Sequence, residues 1–112
     1  MRSRRPVVTL RAAITLDGRL TDPAPQLLED NSSRTVDADG ARALLLAGTV
    51  REVHLTICPR IDGRRDAPTL SGVPTAEFFP ASLACRLLRM ETRDGECLVR
   101  YRVLRPTRTA RK

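Results

Sequence analysis

Few residues of this chain have the chemistry to act on a substrate, and their spacing narrows the choices. His54 is the only histidine. It sits in an alternating segment on the strand face opposite Val53 and Leu55, where a structural or exposed histidine outweighs a metal ligand or general base. Cys58, Cys85 and Cys97 form no C-x-x-C pair. Each lies in a strand-like pattern, where a free thiol behaves as a small buried hydrophobe, so no metal site is expected. Gly40 and Gly63 stand outside any glycine-rich motif, and Gly63 is followed by Arg64 and Arg65, so the residues alone give no phosphate-binding turn. Thr15-Leu16-Asp17-Gly18 places a carboxylate in an Asp-Gly turn, with Arg11 upstream. Read from the residues alone, these are a turn and a solvated side chain.

The elements that must hold these residues are legible as patterns. Residues 6–16 alternate Val8, Leu10, Ala12, Ile14 and Leu16 against a mixed face, which predicts a strand. Residues 19–35, rich in Pro, Asp, Asn and Ser with only Leu27 and Leu28 as anchors, predict a loop. A helix is expected from about Ala38 to Ala47, capped by Asp37 or Asp39, buried through Ala41, Leu44, Leu45 and Leu46, and stopped at Gly48. A buried strand follows over residues 50–58, since Val53, Leu55 and Ile57 alternate with Glu52, His54 and Thr56 until Pro59. Residues 62–82 carry enough Gly and Pro to predict a second loop, with Phe78 and Phe79 covering the core or a sheet edge. Asp94-Gly95 between residues 83–92 and 96–104 is a hairpin signal.

Composition bounds the function classes. The 112 residues make one domain, 41% hydrophobic but only 3% aromatic with no Trp, so the core rests on Leu, Val, Ile and Ala. The net charge of +7 is matched by Arg2, Arg4, Arg5, Arg105, Arg108, Arg111 and Lys112 alone, because the other 13 basic residues face 13 acidic ones. Basic ends over 1–5 and 105–112 read more simply as solvated termini than as a recognition face, and nucleic-acid binding is not expected. No apolar run approaches the roughly 18 residues that span a bilayer. No signal peptide is read and the thiols are unpaired, so a soluble protein in the reducing cytoplasm is expected.

Two blocks carry a resemblance. Residues 51–72, REVHLTICPRIDGRRDAPTLSG, resemble the "V-D-E-L-H-L-x-x-x-P-x-x-x-G-G-x-x-A-P-x-L" pattern of the C-terminal reductase domain of the bifunctional deaminase-reductase family of riboflavin biosynthesis, and residues 5–20, RPVVTLRAAITLDGRL, resemble its opening strand and "T-L-D-G" motif. The "A-L-L-x-A-G-x-V-x-E-x-H-L-T" run and the closing "F-x-P-A-x-L" to "Y-R-V" hairpin fall in the family's order. The family's central strands and helices, between the opening strand and the helix near Ala38, have no counterpart.

The resemblance implies a truncated α/β sheet of the dihydrofolate-reductase type, with about four strands, one packed helix and a C-terminal β-hairpin. The first strand would lie beside the strand after the helix, and its other edge would be bare, inviting a homodimer. The implied activity is NADPH-dependent reduction of 5-amino-6-(5-phosphoribosylamino)uracil, with no catalytic residue assigned. Asp17, Thr15, Gly18 and Arg11 would bind the pyrimidine-ribosyl phosphate substrate, and Gly40 and Gly63 would be the remaining cofactor contacts. Ungapped alignment puts Thr35, Val36 and Asp37 where the family has its phosphate-binding "E-G-G" turn, and an Asp there repels phosphate. The alternative is a non-catalytic remnant of the fold that dimerises or binds a ligand.

Overall fold

A computed structural model describes residues 8–30, 32–72 and 82–104. It contains β1 (Thr9–Ile14), β2 (Leu20–Glu29), β3 (Ser32–Thr35), α1 (Ala38–Ala47), β4 (Glu52–Ile57), β5 (Cys85–Arg93) and β6 (Glu96–Val103). The six strands form one mixed sheet in the order β3-β2-β1-β4-β6-β5. Phe78, Phe79 and the basic ends lie outside the described residues.

The sequence expectations hold at the centre of the sheet. β1 and β4 pair in parallel, Leu10 opposite Val53 and Ala12 opposite Leu55, joined by a crossover through α1. Asp37 is the N-cap of α1, its carboxylate accepting the Gly40 amide, while Gly48 closes the helix at φ 77° with its amide bonded to the Leu45 carbonyl. The helix runs back over one face of the sheet, where Ala41 and Leu45 meet Leu10, Leu27, Val50 and Val53, while Leu46, expected on the buried side, faces solvent. β6 adds antiparallel to β4, and β5 pairs with β6 through a turn in which Asp94 and Gly95 both take positive φ. Asp and Gly tolerate that backbone better than bulkier residues.

Three expectations are corrected. Residues 19–35 are no loop: β2 and β3 form a second hairpin, giving six strands rather than about four. β1 therefore has neighbours on both sides and offers no bare edge for a homodimer. The sheet ends instead at the short polar β3 and at β5. Of the cysteines, only Cys58 is buried; Cys97 is half-buried, and Cys85, at the start of the edge strand, is exposed.

Candidate functional site

The parallel pair sets the polarity of the molecule. β1 and β4 both run toward one end of the sheet, and α1, leading into β4, runs back from it, so the helix N-terminus and the loops after both strands share that end. There the backbone turns at Thr15-Leu16-Asp17-Gly18, with the Gly18 amide donating to the Thr15 carbonyl at 2.9 Å and Gly18 at φ 83°. The loop after β4 is stitched to this turn by the Leu16 amide on the Arg60 carbonyl and the Arg19 guanidinium on the Ala67 carbonyl.

Asp17 is the node of this end. Its Oδ1 accepts the Thr15 hydroxyl at 2.5 Å and the Asp62 amide at 3.0 Å, and its Oδ2 accepts the Gly63 amide at 2.9 Å. Those donors, the Thr15 hydroxyl foremost, hold its carboxyl far below the usual carboxylate range although the side chain is exposed. Asp17 is thus a fixed negative charge at neutral pH, unsuited to general acid or base work there. Asp62 is held low in turn by the Arg64 guanidinium at 2.8 Å and the Arg64 amide. Thr15, Asp17 and Gly18, implied for substrate, and Gly63, implied for cofactor, come together in one closed hydrogen-bonded turn.

Gly40, at the same end of the sheet, lies in the first turn of α1 and takes no part in that hydrogen-bonded turn. A helix N-terminus can receive the phosphates of a dinucleotide such as NADPH, provided its amides are free and its charge positive. Here the Gly40 amide already donates to Asp37 at 2.7 Å, Asp39 adds a second carboxylate, and a Cβ at Gly40 would lie 3.0 Å from Asp37 Oδ1. Glycine at this position makes room for the cap. These residues do not fit a pyrophosphate.

Arg11 is separated from Asp17. It lies in the middle of β1 on the face away from α1, its guanidinium donating to Gln26 Oε1 at 2.8 Å. A cleft of about 230 Å³ opens beside it, lined by Arg11, Ala13, Gln26, Thr56, Cys58 and Glu96 among others. The Cys58 thiol in its wall is pushed up by burial and then by the Glu96 carboxylate, so it is a poor nucleophile. His54, on the same face, meets Glu52 Oε1 at 3.0 Å. Glu52 is lowered by that contact and by Arg102 at 3.4 Å. Sequence reading missed Gln26 and Glu96, because only the pairing of β2 with β1 and of β6 with β4 brings them beside Arg11 and Cys58. Among the described residues no group of three His, Cys, Asp or Glu side chains could hold a metal ion.

No protein-family model matches the chain, and neither does any curated protein. Among solved structures, a pyrimidine reductase-like protein from Corynebacterium diphtheriae superimposes with a TM-score of 0.56 at 27% sequence identity over 64% of this chain. The fold is reductase-like. RibD from Acinetobacter baumannii is also similar, at 19% identity over 56% of the chain, with a TM-score of 0.45. This chain spans 28% of the length of the Corynebacterium protein and 17% of the Acinetobacter one. Among the described residues no helix is long and apolar enough to cross a membrane.

Proposed function

We propose that the chain is a sheet-and-helix core of the riboflavin-biosynthesis reductase type, related to 5-amino-6-(5-phosphoribosylamino)uracil reductases, that does not hold NADPH on its own. The likeness to the pyrimidine reductase-like protein supports the lineage. One observation carries the loss of cofactor binding: the Asp37 carboxylate occupies the Gly40 amide at the only helix N-terminus among the described residues. Asp17, the motif residue implied to contact substrate, is already committed to Thr15, Asp62 and Gly63. Direct titration of NADPH, by calorimetry or by its fluorescence, tests the reading. No saturable binding at micromolar protein is expected. Micromolar binding, with loss of NADPH absorbance once the pyrimidine substrate is added, would overturn it and restore a reductase with Asp17 at its site.

Self-association is a second reading. It moves from β1 to the edge strand β5, whose Leu87 and Met90 are 50% and 60% exposed. Light scattering showing a stable monomer at micromolar concentration would exclude it.

A further inference from the structure

The body of the chain is neutral in sum but not by face. Strand register places Thr9, Arg11 and Ala13 of β1, Glu52, His54 and Thr56 of β4, Leu98, Arg100 and Arg102 of β6, and Arg86, Arg89 and Glu91 of β5 on the side of the sheet away from α1. Gln26 joins them from β2. One ladder crosses the sheet without interruption: Gln26 opposite Arg11, Arg11 opposite His54, His54 opposite Arg100, Arg100 opposite Arg89. At about 4.8 Å per strand this polar row is roughly 19 Å long. The parallel row beside it repeats the theme with Glu52, Arg102 and Arg86.

Two of these cross-strand pairs, Arg89 with Arg100 and Arg86 with Arg102, set like charges directly opposite each other, which weakens a sheet unless something anionic intervenes. The carboxylates on this face answer only part of that charge. Glu52 meets Arg102 at 3.4 Å, Glu91 meets Arg89 at 3.1 Å and Arg93 at 3.8 Å, and Glu96, on the same face, lies opposite Arg93 and lines the cleft beside Arg11. Arg86 and Arg100 have no ion pair among the described residues. The guanidinium groups are available: Arg11, Arg86 and Arg100 are exposed, and the Arg89 side chain is 65% exposed.

We infer that this open face docks single-stranded nucleic acid through its phosphates, along the row from Arg11 to Arg89. Charge complementarity selects a polyanion, and planar guanidinium groups suit phosphate oxygens. A flexible strand can follow the twisted sheet and meet the row phosphate by phosphate, whereas a stiff duplex touches a twisted surface over a short arc. The row holds no Phe, Tyr or Trp, so base stacking is confined to the His54 ring and the guanidinium planes, and binding is sequence-tolerant and strongly salt-dependent. None of this depends on a nicotinamide cofactor, so it stands or falls apart from the reductase reading.

The test is fluorescence anisotropy of the full chain with a labelled oligothymidylate of 16 nucleotides, titrated at several salt concentrations. Each phosphate contact on a single strand contributes about −0.7 to the slope of log K against log salt. The double variant R89Q/R100Q should weaken binding at least about tenfold and flatten that slope by about 1.4, the share of two contacts. The control R34Q/R60Q removes the same charge outside the row and should bind within about twofold of the parent, with circular dichroism confirming both folds. Four results would overturn the proposal: no binding at low salt, equal losses in the two double variants, tighter binding of a duplex of equal length, or capture by phosphatidylserine vesicles without oligonucleotide binding.

Discussion

Asp17 Oδ2 accepts the backbone amide of Gly63 at 2.9 Å, across 46 positions of sequence. This one bond joins a residue that the family resemblance implies for substrate to one it implies for cofactor, and gives both a structural role. An exposed carboxylate that accepts two amides and a hydroxyl pins the loop after β4 to the turn after β1, the two strand ends that the parallel pairing brings side by side. The Asp-Gly sequence was needed twice over. Gly18 supplies the left-handed turn, and Asp17 supplies the carboxylate that accepts the Asp62 and Gly63 amides of the neighbouring loop.

The pH dependence of stability follows from that bond. The carboxyl of Asp17 has a lower pKa folded than unfolded, where about 3.9 applies. Its stabilising contribution is therefore fully present above that unfolded value and is lost as pH falls from about 4 toward the lower folded value. Asp17→Asn should melt at a lower temperature than the parent at pH 7, and the gap should narrow progressively below pH 4. Thermal melts between pH 2 and pH 7 read both effects, and identical curves for the two proteins would show the Asp17 bonds to be energetically idle.

The N-cap separates charge from geometry at α1. Asp37→Ala leaves the Gly40 amide without its acceptor and should cost about 1 kcal/mol in urea unfolding, within the usual range for lost caps. Asp37→Ser keeps an acceptor while removing the negative charge, and should stay within a few tenths of a kcal/mol of the parent. Equal losses in both variants would mean that Asp37 acts through its charge on the helix dipole and not through the cap bond.

Thiol reactivity should follow burial. Desolvation pushes both thiols up, but Cys85 is exposed on the edge strand, whereas Cys58 is buried and pushed up further by the Glu96 carboxylate. Limited alkylation with iodoacetamide at pH 8, read by peptide mass spectrometry, should modify Cys85 well before Cys58. Unfolding in urea should erase the difference. Early labelling of Cys58 in the folded protein would mean that the cleft beside Arg11 opens further than its resting geometry.

Much of the centre was legible because local signals and burial agreed. The helix bounds, Asp37, Gly48 and the Asp94-Gly95 turn each have their own chemistry, and β1 and β4 alternate clearly. β2 was hidden because Pro23 and Pro25 lack amide donors, which argues against an interior strand. The structure tolerates them at an irregularity: the register between β1 and β2 shifts between Arg11 and Ala13, so this stretch of β2 is released from the regular ladder. The Pro25 carbonyl still accepts the Val36 amide. The open face was hidden for a different reason. Its arginines are spread over β1, β5 and β6, and only strand register aligns them.

The register of β2 is itself testable by a pair of neighbouring leucines. Leu27 lies opposite Leu10, is 3% exposed and belongs to the core beneath α1, while Leu28 lies opposite Thr9 on the other face and is only half-buried. Leu27→Ala removes methyl groups that Ala41, Leu45 and Leu10 surround, and should cost about 2–5 kcal/mol, a large share of the total stability of a small domain. Leu28→Ala should cost less than half as much, since part of that side chain already meets water. A loop over residues 19–35 would make the two substitutions nearly equivalent. A one-residue slip of β2 would reverse their order, because it turns every side chain of the strand to the opposite face. Chemical denaturation of both variants, with unchanged m-values as the check that the unfolded states match, decides among the three.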